Sequence, residues 1–532
     1  MKLVLFLGYF TYLTFFSRGI IVILNKNLKI SFPLDEDTLF GVKIFYFYPL
    51  ISLFLLGNIS FIFNFFFPSN ILIILFLSPI LFANFFKKIQ IKFDAIELLI
   101  LGVSLFACFI GVQNLGFHYD AGLYHLNSQN FINNQKIIIG HVNLFFQYGF
   151  SSIMEYLSSI HWIADNLILL SFIQVPFFIL FFNIIYTFLI NSESTRIKFC
   201  SICTLLYLFI DNIGYGGGGN GSPQFQGVSK FDSTSSILQF VCIILFLKSL
   251  ESGINNNELR FYLVLVLFAI QIKTTNLPLL ILVFSLMINK LKNKYFLELI
   301  KDNSLVIFIS LFWMIKNLII SGCLFFPVKF TCLNSLVWSS SDEAASTSKK
   351  IFEYFKITNF EVELNIKIFI NFLGFLLLLL FYELIKNKSL TTIFAINKWI
   401  LLYFLINIFM FLKFTPTLRF FGGVLISIIS TYSFFMTQSI FLKKSYRNII
   451  LIPLMILSIF LTPRLSQYNF SELSSVNNYK LTAPEISYDE LNSNALVIPS
   501  KGEQCWINLK CIPYDDEVKI RVTNLNYLIY LK

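Results

Sequence analysis

Charge is what this chain has least of. Only 13% of its 532 residues are Asp, Glu, Lys or Arg, against about a quarter in an ordinary soluble domain. That shortage excludes a soluble globular fold. The net charge of +11 does not bring nucleic acid back as a partner. The Lys and Arg residues sit in short loops, as the positive-inside bias of membrane proteins requires. Histidine is scarcer still, with four residues and no HExxH pair. Gly216–Gly219, within GYGGGGNGSPQ, lack the Lys-Ser/Thr of a phosphate loop. They read as a flexible outer loop, or as a lid over a cavity. No repeat of 20–50 residues recurs, which lowers the weight of an internally duplicated transporter.

What is present is apolar. Hydrophobic residues make up 56% of the chain, Phe alone contributes 66, and the mean hydropathy is +0.74. We read the excess of Phe as a genome bias with little functional content. Apolar runs of roughly 17–25 residues recur along the chain, each long enough to cross the hydrocarbon layer as a helix. Backbone groups in lipid must be satisfied within the segment, so helices are expected, and the short alternating strands of a barrel are missing.

The expected spans are 3–24, 42–66, 70–86, 96–114, 164–190, 197–212, 235–249, 260–272, 276–290, 303–320, 366–386, 397–412, 419–441 and 448–463. The fold class is therefore an all-α polytopic membrane protein of about 13–14 helices, with a small extracytoplasmic α/β segment at its C-terminal end. Residues 1–464 form the membrane domain and 465–532 the terminal one, with strand-like runs at Ala495–Pro499 and Val518–Val522. Residues Met1–Phe16 are followed by no small-residue cleavage site, so they read as a retained first helix.

Basic loops around Lys87, Arg196, Lys248, Lys290, Lys386 and Lys443 fall on one face, the cytoplasmic one. The intervals 115–163, 211–234 and 321–365 then face outward. Lys26 and Lys29 argue that the far end of the first helix is inside. The cysteines agree with this topology. Cys505 with Cys511, and Cys323 with Cys332, lie close together in outer segments, which fits disulfides in an oxidising exterior. Zinc is the weaker reading, since these four contain no CxxC pair. Cys108, Cys200, Cys203 and Cys242 sit in or beside spans, as small hydrophobes.

All four histidines fall between Phe117 and His161, an interval that opens with FHYDAGLYHLNSQ. Asp120 is the candidate catalytic residue. It also precedes an expected helix, 121–132, where it reads equally as a cap worth about 1 kcal/mol. His118, Tyr124 and His125 flank it, with Tyr124 one helical turn on. A carboxylate in such company can accept a proton from a hydroxyl. Glu155, on the amphipathic stretch Phe145–Ser159, either orients an acceptor or faces water. His118, Asp120 and His125 also offer mixed N/O ligands, so a divalent metal is an alternative reading, while nothing in the residues demands a cofactor. Lys273, Lys316 and Arg419 are cations in apolar surroundings, where charge is costly and functional by default. Together they suit a phosphate oxygen. The bland alternative is snorkelling to lipid headgroups.

Three stretches, YDAGLYHL, WMIKNLIISGCLFFP and TPTLRFFGG, occur in an order that resembles bacterial multi-pass glycosyltransferases of the GT-C class, near members found in surface-polysaccharide loci. The resemblance covers roughly 1–464 in architecture and only these stretches in residues. It implies a GT-C-like fold in the bacterial cytoplasmic membrane, with the active site facing the periplasm or exterior. It implies transfer of a sugar, with inversion, from a polyprenyl-phosphate carrier to an envelope glycan or lipid acceptor. Asp120 would then be the base. Lys273, Lys316 and Arg419 would hold the leaving phosphate, and His118, Tyr124, His125 and Glu155 would line the substrate site. Where many members carry an acidic pair, this chain has Asp120-Ala121-Gly122. A flippase of lipid-linked oligosaccharide, a polysaccharide polymerase and a non-catalytic scaffold are the competing readings.

Overall fold

The computed structural model describes residues 2–27, 37–86, 92–113, 115–213, 223–291, 301, 303–357, 359–387, 397–413, 418–436, 444–461, 481–490, 496–513, 519–525 and 527–531. Helices dominate among them, from Lys2–Asn27 to Lys444–Leu461. Strands are confined to a short hairpin, Thr38–Leu39 with Val42–Lys43, and to two antiparallel pairs in the tail. Among the described residues, six helices are long and apolar enough to cross a membrane: Lys2–Ile23, Ala95–Gln113, Ile168–Ile190, Asp232–Ser252, Ser304–Ser321 and Asn365–Tyr382. Lys29 and Gly216–Gly219 lie outside the described residues.

The expected series of unbroken spans is not what forms, and local chemistry explains the difference. The run 70–86 divides into a helix, Leu72–Leu77, and a tighter 3-10 stretch, Ser78–Phe86. Pro79 sits at that junction and brings no N–H to continue the ladder. The run 42–66 starts with hairpin and 3-10 residues, and its helix is only Tyr48–Asn64. Thr195–Ile213 has the length to span but carries Arg196, Lys198 and Asp211. The break expected at Lys273 is present: Asn256–Ile272 ends there, Thr274–Asn276 is a 3-10 turn, and Leu279–Leu291 follows.

Burial orders the bundle. In Ile168–Ile190 and Asp232–Ser252, 94% and 89% of the most apolar stretch is covered by protein, so these two helices are the centre. For Ser304–Ser321 and Asn365–Tyr382 the shares are only 33% and 28%. These are rim helices, and exposed Leu305, Phe308, Leu311 and Ile315 line one of them. A helix apolar on every side is stable only when covered by protein or by lipid.

Close packing at the centre uses a small residue. Helix Gly422–Phe435 lies against Asp232–Ser252, and a Cβ on Gly423 would sit 2.5 Å from Gln239 Oε1 and 2.8 Å from Ser236 Cα. Thr204 Oγ1 and Ser430 Oγ share a hydrogen bond of 2.8 Å across the next helix pair. Small residues and hydroxyl bridges are how apolar helices associate without a hydrophobic drive.

The tail folds back on this body. Tyr488–Glu490 pairs with Val497–Pro499, and Lys519–Val522 with Leu528–Leu531, in register Lys519 to Leu531 through Val522 to Leu528. The second pair is extended onto the body, where Ile139 N–H donates to Leu528 O at 3.0 Å and Tyr530 N–H donates to Ile139 O at 3.0 Å.

Gly423→Ala is expected to lower stability by about 1–3 kcal/mol through overpacking. Gly8→Ala, whose Cβ meets nothing within 4 Å, is expected not to. Thermal unfolding of both variants in detergent checks this; equal melting temperatures would contradict the packing account.

Candidate functional site

Two stretches more than a hundred residues apart meet to form the site. Phe117 bridges Val228 in parallel register, and the Val228 amide donates to Gly116 O at 2.9 Å. A Cβ at Gly227 would lie 2.5 Å from the His118 nitrogen, so this approach requires glycine. Upstream, Phe225 stacks on Phe178 at 4.2 Å and its ring fills the space over Gly111. Downstream, Ser229 turns the chain with φ of 62°. Lys230 is thereby aimed inward, with 5% of its surface exposed.

Four charges of alternating sign follow from this arrangement. Lys230 Nζ lies 2.7 Å from Asp120 Oδ2 and 3.5 Å from Asp232 Oδ2. Lys273 Nζ donates to Asp232 Oδ1 at 2.6 Å. Asp232 opens its helix and Lys273 follows the end of Asn256–Ile272, positions where the helix dipole favours an anion and a cation respectively. The Phe420 ring lies 3.5 Å from the Lys273 ammonium, a cation–π contact. Phe420 belongs to the 3-10 turn Leu418–Phe421, which also carries Arg419. The Arg419 side chain lies outside the described residues.

The Asp120 side chain makes no cap hydrogen bond to the helix it precedes. Burial by itself raises its pKa. The His118 hydrogen bond and the Lys230 charge outweigh that and hold the carboxyl well below the usual carboxylate range. His118 Nδ1 is 3.3 Å from Asp120 Oδ2 and 3.2 Å from the Asp120 amide nitrogen. Protonated, it donates to the carboxylate; unprotonated, it accepts from the amide.

A second cluster lies alongside. His125 Nδ1 hydrogen-bonds Glu155 Oε1, and Tyr124 packs its ring against His125 with centroids 4.1 Å apart. Gln129 Nε2 donates to Glu155 Oε2 at 2.8 Å and to Ser229 Oγ at 3.1 Å. Trp162 Nε1 donates to Gln129 Oε1 at 3.2 Å. Gln129, fully buried, thus ties Glu155 to the turn that presents Lys230. Glu155 is buried within helix Ile153–Ser159 and does not face water.

Lys316 is placed differently from the other cations. It is fully buried, donates to Ser151 Oγ at 2.6 Å, and lies 3.2 Å from the Trp313 ring centroid. Its hydrogen bonds do not reach the alternating charges around Lys230.

The remaining histidines stay neutral. His141 is pushed down to about 3 by burial, and His161 to about 4 by burial, partly offset by its hydrogen bond to Leu157 O. His141 Nε2 and Tyr148 Oη lack partners, and both residues line a cavity of about 20 Å³, room for about one water. Among the described residues no three His, Cys, Asp or Glu gather as metal ligands. Cys323 is bonded to Cys332 and Cys505 to Cys511, while Cys108, Cys200, Cys203 and Cys242 are free and buried.

Sequence reasoning overlooked Lys230, Asp232 and Gln129. The signal was there for the first two: two opposite charges, two residues apart, just before an apolar run in a chain short of charge.

Residues 1–426 match a family described as Domain of unknown function (DUF8201). No curated protein and no solved structure matches the chain.

Lys230→Met leaves two carboxylates short of a partner and is expected to cost about 3–5 kcal/mol, less after screening at the partly exposed Asp120 end. Adding Asp120→Asn to Lys230→Met is expected to recover part of the loss; a thermal double-mutant cycle with no coupling would contradict the contact. His141 gives a pH dependence. Its folded pKa is depressed, so its contribution is whole above the unfolded value of about 6.5 and falls away as pH drops toward the folded one. His141→Phe is expected to flatten the loss of melting temperature over that window, and an unchanged slope would contradict the burial argument.

Proposed function

The chain belongs to this family of unknown function, and we propose that it is an integral membrane glycosyltransferase. It moves a sugar from a polyprenyl-phosphate carrier to a glycan or lipid acceptor on the outer face of the bacterial cytoplasmic membrane. The observation that carries the reading is the run of alternating charges Asp120, Lys230, Asp232 and Lys273 at the ends of apolar helices. A lipid phosphate needs cations beside an apolar wall, and a hydroxyl nucleophile needs a carboxylate to take its proton. Both kinds of group stand in one continuous set of contacts.

Asp120 is ionised and so ready to accept a proton, but Lys230 and His118 make it a weak base. An arriving phosphate competes for the Lys230 ammonium. Losing that partner raises the proton affinity of Asp120, because an opposite charge nearby is what depressed it. Asp120 then takes the proton of the acceptor hydroxyl. The acceptor oxygen bonds to the anomeric carbon, the bond from that carbon to the phosphate oxygen breaks, and configuration inverts. Lys230 and Lys273 meet the charge that develops on the departing phosphate. Tyr124, His125 and Glu155 offer hydroxyl, imidazole and carboxylate groups suited to sugar hydroxyls. Lys316 and Arg419 remain further candidates for anion contact.

Asp120→Asn is expected to lower sugar transfer from polyprenyl-phosphate donors in membranes by about 10²–10⁴-fold, the usual scale of general-base catalysis. Full activity in a stably expressed Asp120→Asn protein would sink the reading.

A further inference from the structure

The candidate site stands on an unusual piece of helix. Ala121–His125 is a π turn, in which the Leu126 N–H reaches back to Ala121 O. Such a turn carries one residue more than an α-helical turn, is rare, and recurs at functional sites. It persists only where surrounding contacts favour it over the α-helix, and every buried carbonyl in it still needs a donor.

A segment from the far end of the chain supplies such contacts. The Trp506 N–H donates to Gly122 O, inside the π turn, at 2.8 Å. Gln504 Nε2 donates to Tyr119 O at 2.9 Å, and Tyr119 Oη donates to Glu503 Oε2 at 3.2 Å. Beyond the turn, Asn127 Nδ2 donates to Asn508 O at 2.7 Å and Asn130 Nδ2 donates to Ile507 O at 2.6 Å. The segment therefore grips the helix on both sides of the turn.

Trp506 is the centre of the grip. Its ring meets Phe117 edge-on at 5.5 Å, and a Cβ on Gly122 would come within 2.9 Å of it. Its own φ is 51°, a left-handed conformation that costs about 1–3 kcal/mol for a non-glycine residue and persists only when its surroundings impose it. The Cys505–Cys511 disulfide begins at the neighbouring residue, and both sulfurs are buried.

We propose that residues 503–511 are a clamp that holds the π turn in register, with Trp506 as its positioning residue and Cys505–Cys511 as its covalent tie. Relaxing the turn to α-helix would remove one residue of offset, and each residue is worth about 100° of rotation. Asp120 immediately precedes the turn and His125 is its last residue. With the clamp docked, Asp120 meets Lys230 while His125 meets Glu155; with it released, the two contacts are no longer held together. The proposal deepens the function above, since it says how that site is assembled. Its test adds no substrate, so the two can fail separately.

The test is hydrogen exchange of the full chain in detergent, read by mass spectrometry. Cys505→Ser/Cys511→Ser is expected to speed exchange in 118–130 by about tenfold or more, while peptides in 175–189 keep their rates. Cys323→Ser/Cys332→Ser is expected to leave 118–130 unchanged. Trp506→Gly keeps the N–H and tolerates the positive φ but loses the ring, and is expected to behave as the first variant does. Trp506→Phe is expected to restore most of the protection. Unchanged exchange in 118–130 without the Cys505–Cys511 bond would overturn the proposal. So would an equal rise in every peptide, because the tie would then be a general support and not a positioning device.

Discussion

An ammonium group taken out of water has to find its charge again inside the protein. Lys230 does so between two carboxylates, and that pairing organises much of what surrounds it. Asp120 is held down by it, Asp232 is shared with Lys273, and the turn that delivers Lys230 needs the bare backbone of Gly227 against His118. Removing an ion from water costs several kcal/mol, repaid only when geometry is good and the remaining hydrogen bonds are met. This explains why uncharged helpers gather near it. Gln129 is fully buried and reaches both Glu155 and Ser229. A polar side chain without such partners would be a net loss at that depth.

The coarse architecture was legible because lipid and protein cores leave the same apolar signature. The helical class, the break at Lys273 and the strand tendency of 497–499 and 519–522 all follow from composition and period. The polar interval at 117–161 stood out because polarity is rare in this chain. What could not be read is equally physical. Hydropathy does not register whether an apolar run is α-helical or 3-10, so 42–66 and 70–86 looked like spans. Asp120 and Lys230 lie 110 positions apart, and only folding brings them into contact. Gln129 reads as a wet helix residue until its surroundings are known. Glu155 likewise sits on a stretch that looks amphipathic, yet it points into the protein.

The two lysines that drew attention as cations have different surroundings. Lys273 keeps contact with its helix end, an aromatic ring and Asp232. Lys316 is enclosed by Trp313 and Ser151 within a rim helix. Aromatic faces stabilise a desolvated ammonium, so the same residue type can be balanced by an ion pair in one place and by a ring and a hydroxyl in the other.

The grip of residues 503–508 on residues 119–130 also has a meaning in time. The partners in one of its hydrogen bonds are 381 residues apart. At about 5–20 residues per second, a ribosome needs roughly 20–80 seconds to travel that distance. During that interval the helices from Ile153–Ser159 to Lys444–Leu461 are synthesised, while the last contacts of the π turn are still untranslated. A nascent chain therefore carries Asp120 and Lys230 long before residues 503–508 reach the turn, and synthesis of that segment becomes the step that finishes the site.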